Sequence, residues 1–378
     1  MSVATPISAF GCILESRNSQ LRDEGVASPV ASQLPRRTPD VTMRTGIIAG
    51  GNWIEDRVKV IDTWPAQDAL ATILSETTGN GGSAYNILKN LARLGATFPL
   101  EAIGLVGDDA SGRAILSDCR AHRIDTAQLR ISDSSTTSYT DVMTERSTRR
   151  RTFFHHRGAN ALLAPQHFDF TGRSAKIFHL GYLLLLDALD EAGEDGVPRA
   201  GAVLRAAREA GLWTSLDCVS ENSDRFEKVV AAVLPQVDVL FANDFEAEKL
   251  TGLSLGRGSS LDRRAVEAAA RALLARGVQQ WAIVHMPEGA CACSRDGATH
   301  WHGAVNLPIA EIAGTAGAGD AFAAGVLYGL HESWPMSRAL ELGACTAAAS
   351  LRHPTCSDAV VSTLQCLALG RMHGFRPA

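Results

Sequence analysis

The sequence is most constrained at one glycine-rich stretch, residues 314–322, which reads Gly-Thr-Ala-Gly-Ala-Gly-Asp-Ala-Phe. Its glycines allow a tight turn and a close ligand approach, and the alanine-rich run at residues 323–327 favours a helix. The first N–H groups of a helix have no partner within it, and the helix N-terminus carries a partial positive charge. The stretch therefore predicts an anion-binding loop at the start of a helix.

Asp320 stands in the first turn of this predicted helix. A carboxylate there can simply complement the helix dipole, which is the usual explanation of a lone aspartate. Beside a bound phosphate, however, it would repel the ligand unless it takes up a proton. A general base next to a transferred phosphoryl group does this when it deprotonates an acceptor hydroxyl. The pattern therefore favours Asp320 as the catalytic base of a phosphoryl transfer.

The stretch resembles the C-terminal signature of the ribokinase-like (PfkB-type) carbohydrate kinases, Asp-Thr-x-Gly-Ala-Gly-Asp-x-Phe. Each fixed position matches except the first, where Gly314 replaces the acid. The family's leading acid commonly helps to bind a monovalent cation, so Gly314 argues against potassium activation. The resemblance also implies an anion hole that is made by the amides of Gly317, Ala318 and Gly319.

Composition excludes several partner classes. The net charge of -5 and the pI of about 6.1 provide no basic field for nucleic acid or an anionic membrane. The Arg149–Arg151 cluster is interpreted as a solvated turn. The longest apolar run, residues 177–186, is much shorter than the roughly 20 residues of a membrane helix, and it predicts a buried strand. We therefore expect small-molecule ligands and neither nucleic acid nor a membrane as a partner.

The cysteines favour a reducing compartment. The chain has 8 of them, and they are scattered along the sequence. Cys291 and Cys293 have the spacing that puts two side chains on the same face of a strand, and they do not form a CxxC metal site. We expect reduced thiols and a cytoplasmic location.

The domain organisation follows from composition and pattern. Residues 1–43 are rich in Ser, Pro and Arg and lack periodicity, so they predict a disordered N-terminal extension. Residues 44–370 alternate strands with helices, which predicts an α/β fold with a doubly wound, mostly parallel sheet flanked by helices. Residues 371–378 are predicted as a C-terminal tail. The resemblance adds a small β-sheet lid, built from about 52–64 and 137–158.

Candidate substrate contacts follow the first predicted strand. Asn52 and Asp56 lie just after residues 46–51, where the resemblance implies that a polar side chain binds sugar hydroxyls, and Asp56 is the better match. A plain turn residue is an equally good explanation of either. A second glycine loop leads into a helix and resembles the family's N-terminal signature, which implies sugar contacts from Gly81, Gly82 and Asn86.

The predicted lid contains a hairpin, with strands at residues 139–145 and 152–156 around a polar turn. Residues 67–76 are predicted as a short connection. The segment after the hairpin is similar to the family's Arg-Gly-x-Asn, which implies substrate contacts from Arg157 and Asn160. Family members often pair through their lids, which implies a homodimer.

Asn243 and Glu246 follow another predicted strand. They resemble the family's Asn-x-x-Glu motif, in which the Glu acts on Mg²⁺ through water, and Thr315 would join them near the nucleotide phosphates. A capping box at the start of a helix explains the same spacing equally well. The family commonly has Lys-x-Gly-x-x-Gly further on, whereas this chain has His-Met-Pro-Glu-Gly at residues 285–289.

These features predict an ATP- and Mg²⁺-dependent kinase that phosphorylates a hydroxymethyl group of a sugar or sugar-like substrate. Two alternatives stay open at this point: a nucleoside kinase, and a non-catalytic sugar or nucleotide sensor of the same fold. The sensor is motivated by Gly314 and the altered residues 285–289, whereas the retained Asp320 argues against it.

Overall fold

The computed structural model describes residues 44–148 and 150–377. The predicted N-terminal extension and Arg149 lie outside the described residues. Within the described ranges, the strands are β1 (Ile47–Gly51), β2 (Ile54–Ile61), β3 (Ile73–Gly81), β4 (Leu100–Gly107), β5 (Asp125–Ser132), β6 (Ser138–Glu145), β7 (Arg151–His156), β8 (Ile177–Leu183), β9 (Trp213–Cys218), β10 (Val239–Asn243), β11 (Trp281–Met286), β12 (Gly289–Ser294) and β13 (Thr299–Gly303).

Nine of these strands form one large sheet in the order β13-β12-β11-β10-β9-β8-β1-β4-β5. All neighbouring strands from β5 to β11 pair in parallel, and β12 and β13 add an antiparallel edge. The chain starts in the interior with β1, continues to one side through β4 and β5, and then moves to the other side from β8. The strand order therefore reverses between β1 and β8, where ligands bind in open α/β sheets.

The helices cover both faces of the large sheet, and their apolar sides form two main clusters of buried residues. The described α-helices are α1 (Ser83–Leu94), α2 (Ala110–Ala121), the single turn α3 (Asp187–Asp190), α4 (Arg199–Glu209), α5 (Asp244–Thr251), α6 (Arg263–Ala275), α7 (Ala318–His331), α8 (Met336–Ser350) and α9 (Thr363–His373). This arrangement confirms the predicted doubly wound α/β fold.

The remaining strands form a separate small sheet in the order β3-β2-β6-β7. Strand β2 pairs in parallel with β6 and antiparallel with β3, and β6 pairs antiparallel with β7. The small sheet confirms the expected second sheet, but it includes a strand that sequence analysis missed. The prediction of a connection at residues 67–76 is wrong from Ile73 onward, because β3 begins there and pairs with Ile61.

The C-terminal residues differ from the predicted tail. Helix α9 continues to His373, and Phe375 forms a β-bridge with Val305. The Arg376 amide also donates a hydrogen bond of 2.8 Å to the Ala304 carbonyl. Residues 371–377 therefore pack against the domain. In the part of the chain that the structure describes, none of the helices combines the length and apolar character needed to span a bilayer.

Candidate active site

Helix α7 begins directly after Gly317, which has a φ of 69°. An added Cβ at Gly317 would lie 2.5 Å from Cys356 Cβ, so both the backbone conformation and the available space require glycine here. Gly317, Ala318 and Gly319 are partly exposed. The amides at the start of α7 have no partner within the helix, so they are available to an anion at this surface.

Asp320 lies one turn into this region and is 3% exposed. Its Oδ2 accepts hydrogen bonds from Asn86 Nδ2 at 2.7 Å and from Tyr182 Oη at 2.6 Å. Its Oδ1 is buried and has no hydrogen-bond partner. Burying an oxygen without a partner is costly, so Oδ1 marks a place where a ligand group is favourable.

The surroundings of Asp320 prepare it to accept a proton. Burial raises the pKa of Asp320, and the hydrogen bonds from Tyr182 and Asn86, together with the nearby Ser83 hydroxyl, oppose this change. Burial and the nearby Asp320 charge also raise the pKa of Tyr182 well above its usual value, so the phenol stays protonated and donates. One carboxylate oxygen is thus held in place while the other stays free.

The second glycine loop positions Asn86. Gly82 is the N-cap of α1 with a φ of 86°, and an added Cβ there would lie 2.5 Å from the Asn52 carbonyl oxygen. Helix α1 can therefore start close to the end of β1, which brings Asn86 to Asp320. Asn80 Nδ2 donates to Asn86 Oδ1 at 2.6 Å, so Asn86 is oriented with its amide NH₂ toward the carboxylate.

Asp56 projects from β2 over Gly81, where an added Cβ would lie 2.3 Å from Asp56 Oδ1. Cys356 Sγ donates to Asp56 Oδ2 at 3.6 Å. Burial raises the pKa of Asp56 to about 7, with the nearby Asp320 charge adding to the increase. Asp56 and Asp320, both predicted site residues, thus lie close enough for the charge of Asp320 to raise the pKa of Asp56.

The raised pKa of Asp56 predicts a stability effect. Between its usual value of 3.8 and about 7, the folded protein binds more protons here than the unfolded chain, so stability declines as pH rises through this window. We expect Asp56→Asn to raise the melting temperature at pH 8 by roughly 3–8 °C. Near pH 4 the difference should almost vanish, because wild-type Asp56 is then protonated. Thermal unfolding of the ligand-free protein across pH measures this.

Asp133→Asn is a suitable control because Asp133 is an exposed acid. This variant should show the same pH profile of melting temperature as the wild type. Parallel profiles for the wild type and Asp56→Asn would contradict the buried, proton-binding role of Asp56.

Three predicted substrate contacts also bond to other parts of the protein. Asn52 is fully buried, and its amide bonds to backbone groups of Tyr182 and Leu185. Asn160 is also fully buried and bonds to both the N–H and the carbonyl of Trp53. Asn52 thus links the end of β1 to the end of β8, and Asn160 links the segment after β7 to the turn between β1 and β2. Their substrate contacts stay predictions.

The Arg157 guanidinium likewise contacts other groups of the protein. Its Nη1 lies 2.8 Å from Asp187 Oδ1 and donates to the Leu184 carbonyl at 3.0 Å. Asp187 follows β8, at the carboxyl edge of the large sheet. Arg157 therefore joins the lid to this edge, and its predicted substrate contact stays a prediction.

Asn243 and Glu246 form a capping box at the start of α5. This is one of the two explanations of their spacing that sequence analysis left open. Glu246 Oε2 accepts from the Asn243 amide at 2.9 Å, and Oε1 accepts from Ser220 Oγ at 2.7 Å. Burial raises the pKa of Glu246 to about 7 and raises that of Asp217 well above its usual value, with Asp217 also affected by the Glu246 charge. This accumulation of buried acids favours a nearby cation.

Among residues 44–148 and 150–377, no group of three or more His, Cys, Asp and Glu side chains is arranged to hold a metal ion by itself. The contact of Glu246 with Mg²⁺ through water stays a prediction.

Several site residues escaped sequence analysis. Tyr182 lies in an apolar strand with no motif around it. Cys356 lies in an irregular segment after α8, yet it contacts both Asp56 and the Gly317 position. His155 Nδ1 lies 3.0 Å from Thr140 Oγ1, while its Nε2 is buried without a partner. These residues are identified by their proximity to Asp56 and Asp320 in the folded structure.

The interpretation of the arginine cluster as a solvated turn is wrong for Arg151. Its side chain is partly buried, and its Nη2 donates a hydrogen bond to Thr315 Oγ1 in the glycine loop before α7. Strand β7 begins at this residue, so the hairpin carries Arg151 from the lid to the loop before α7. On the other side of the loop, the His285 ring lies beside Gly319, and burial lowers its pKa to about 4.

Comparisons with known proteins agree with this fold. A ribokinase from Arabidopsis thaliana, solved with ribose and ATP, superposes with a TM-score of 0.70 at 19% identity and covers 86% of this chain and 99% of its own. A nucleoside kinase from Burkholderia thailandensis, solved with inosine, has a TM-score of 0.67 at 17% identity and covers 88% of this chain and 100% of its own. At these identities the similarity demonstrates the ribokinase fold.

Sequence relatives extend the similarity to kinases of sugars. An ATP-dependent ribose-1-phosphate kinase from Halopiger xanaduensis is 29% identical over 320 residues, which cover 83% of this chain and 95% of that protein. A 5-dehydro-2-deoxygluconokinase from Geobacillus kaustophilus is 28% identical over 304 residues, with coverage of 75% and 82%. The model of the pfkB family carbohydrate kinases matches residues 57–363. The chain therefore belongs to the pfkB family of carbohydrate kinases.

Proposed function

We propose that this carbohydrate kinase transfers the terminal phosphoryl group of ATP to a hydroxymethyl group of a sugar or sugar-like substrate, with Asp320 as the general base. The observation that carries the proposal is the unpartnered, buried Oδ1 of Asp320 at the start of α7. An acid that is held by one oxygen and free at the other is suited to taking a proton from a hydroxyl.

In the proposed reaction, Asn86 and Tyr182 hold Oδ2 while Oδ1 faces the acceptor hydroxyl. As the acceptor oxygen forms its bond to the γ-phosphorus, the hydroxyl proton passes to Asp320. The bond from this phosphorus to the β–γ bridging oxygen breaks, and ADP leaves with the electron pair. The amides of Gly317, Ala318 and Gly319 stabilise the negative charge on the transferred group.

The substrate would lie between the small sheet and the start of α1. Asp56, Gly81 and Gly82 meet there, and His155 adds an unpartnered Nε2 on the same face of the lid. The relatives named above act on ribose 1-phosphate and 5-dehydro-2-deoxygluconate, so a sugar with an anionic substituent is included among the candidates.

Magnesium would be held by the nucleotide phosphates and reached by Glu246 through water. When bound, the ion supplies charge neutralisation to the phosphates. Asn243 would orient Glu246, since Asn243 Nδ2 lies 2.9 Å from Glu246 Oε1. Thr315 would face the phosphates from the other side of the loop.

The protein should work without a monovalent cation. An added Cβ at Gly314 would lie 3.0 Å from Pro354 Cα and 3.1 Å from the His353 carbonyl oxygen, so the position has little room for a carboxylate side chain. We expect unchanged turnover when potassium is replaced by sodium or tetramethylammonium at constant ionic strength. Strong stimulation by potassium alone would contradict this expectation.

A panel assay of ADP release tests the proposed function. The panel contains ribose, ribose 1-phosphate, fructose, 5-dehydro-2-deoxygluconate and adenosine, each with Mg²⁺ and ATP. Phosphorylation of a sugar at a hydroxymethyl carbon, located by NMR of the product, supports the proposal. Preferential turnover of adenosine favours a nucleoside kinase. If no compound of the panel causes ADP release but ligands clearly shift the melting temperature, a sensor is favoured.

A further inference from the structure

Arg151 occupies the inner face of the lid. Directly opposite residues in neighbouring strands share a face, and side chains alternate along each strand. His155 pairs with Thr140, and Thr140 pairs with Asp56, so His155 and Asp56 lie on one face. Arg151 precedes His155 by four residues in β7 and therefore shares that face.

In the described part of the chain, no carboxylate lies within ion-pair distance of the Arg151 guanidinium, although Cys356 and Asp56 lie within electrostatic range. The guanidinium carbon lies 5.7 Å from the centroid of the Phe153 ring. The guanidinium donates its hydrogen bond to the neutral Thr315 hydroxyl. Burial lowers the pKa of Arg151, which reflects the cost of removing its charge from water. An anion at this position would recover that cost.

The adjacent loop favours a phosphate as that anion. Thr315 lies two residues before the N-cap of α7, so the guanidinium and the free amides of α7 approach the same place. The neighbouring acids, Asp56 and Asp320, repel an anion, and a cation offsets this repulsion. On the opposite side, the neutral His285 ring adds no charge. Arginine is also well matched to phosphate oxygens because its donors form a planar fork.

We propose that Arg151 is a catalytic residue that the lid delivers to the transferred phosphoryl group, where its guanidinium donates hydrogen bonds to the phosphoryl oxygens. This inference rests on the proposed function of the anion-binding loop. The Thr315 hydroxyl holds the guanidinium beside the loop. Because the charge is carried by the lid, closing of the lid over the sugar completes the phosphate site.

The test compares nucleotide binding with turnover. Calorimetry with Mg²⁺ measures the affinities of AMP-PNP, which has a γ-phosphate, and of ADP, which lacks it. We expect Arg151→Gln to weaken AMP-PNP binding roughly 10- to 100-fold relative to ADP binding, because a charged hydrogen bond to the γ-phosphate is lost. The kcat for the best sugar of the panel should fall about 100-fold. Arg151→Lys should retain part of the preference for AMP-PNP over ADP and part of the kcat.

Arg150→Gln is the matched control, since it removes an exposed charge from the adjacent position of the same hairpin. It should change neither the ratio of the AMP-PNP affinity to the ADP affinity nor kcat. An equal ratio in Arg151→Gln and in the wild type, with melting temperatures preserved, overturns the proposal.

A further arm distinguishes the nucleotide phosphate from a phosphate on the acceptor. Affinities for ribose and ribose 1-phosphate are measured in the wild type and in Arg151→Gln. A selective loss of ribose 1-phosphate binding, without a change in the AMP-PNP to ADP ratio, assigns Arg151 to the acceptor and overturns its role at the transferred group.

The outcome can be separated from the fate of the proposed function. Asp320→Asn should abolish most turnover but keep the wild-type AMP-PNP to ADP ratio. If Asp320→Asn behaves in this way while Arg151→Gln is indistinguishable from the wild type, the inference fails and the proposed function stands.

Discussion

Asp320→Asn should lower kcat about 10³-fold while nucleotide and sugar still bind, because the proposed base can no longer take the hydroxyl proton. The substitution is nearly isosteric. The asparagine oxygen can still accept from Asn86 and Tyr182, as Asp320 Oδ2 does. The new amide would then occupy the unpartnered position of Oδ1. Measurements of ADP release and of ligand affinity by calorimetry check this result.

The folded state of the variant provides an internal control. Wild-type Asp320 is a buried acid whose pKa is raised by burial, so its charged form opposes folding. Asp320→Asn should therefore be as stable as the wild type or more stable. Loss of turnover with a retained or raised melting temperature identifies a chemical role. Near-normal turnover would remove the general base from the mechanism.

Gly317→Ala should lower kcat about 100-fold, because the anion-binding loop would have to move. The added Cβ would lie 2.5 Å from Cys356 Cβ and 2.8 Å from Cys356 Sγ, distances at which something must shift. The φ of 69° adds a further cost for alanine. Even a displacement of about 1 Å would misplace the amides relative to the phosphoryl group.

Gly95→Ala separates the steric effect from the backbone effect. Gly95 also has a positive φ, 86°, at the C-cap of α1, but an added Cβ there would meet nothing within 4 Å. Both variants should lose about 1 kcal/mol of stability from the backbone conformation. Only Gly317→Ala should lose activity. Equal turnover in the two variants would show that the loop before α7 does not take part in the reaction.

Local chemistry explains why parts of this protein could be predicted. Apolar strand segments alternate along the chain with amphipathic helical segments, and both kinds must bury their apolar sides against one another. This alternation predicted the parallel sheet and its flanking helices. Helix α7 begins at the predicted glycine stretch because three glycines followed by small apolar residues favour one local structure. The pairing of Asn243 with Glu246 is equally local, since a capping box needs only their spacing.

The errors occurred where a long-range contact replaced a local preference. Residues from Ile73 onward form a strand because the edge of β2 pairs with them, although their own sequence favours a connection. Asn52 and Asn160 accept hydrogen bonds from the backbone of Tyr182 and Trp53, contacts that the sequence did not indicate, and their substrate contacts stay predictions. Arg151 looked like a solvated charge because nothing in the hairpin sequence indicates Thr315.

The amino-acid order thus determined most of the elements, the glycine loop before α7 and the choice of the proposed base, because these depend on residues a few positions apart. The tertiary structure alone decided which oxygen of Asp320 stays free, since Asn86 and Tyr182 come from distant parts of the chain. It also decided that Asp56, Cys356 and Arg151 meet at the lid. Burial and electrostatic coupling act through space, and sequence separation carries no information about them.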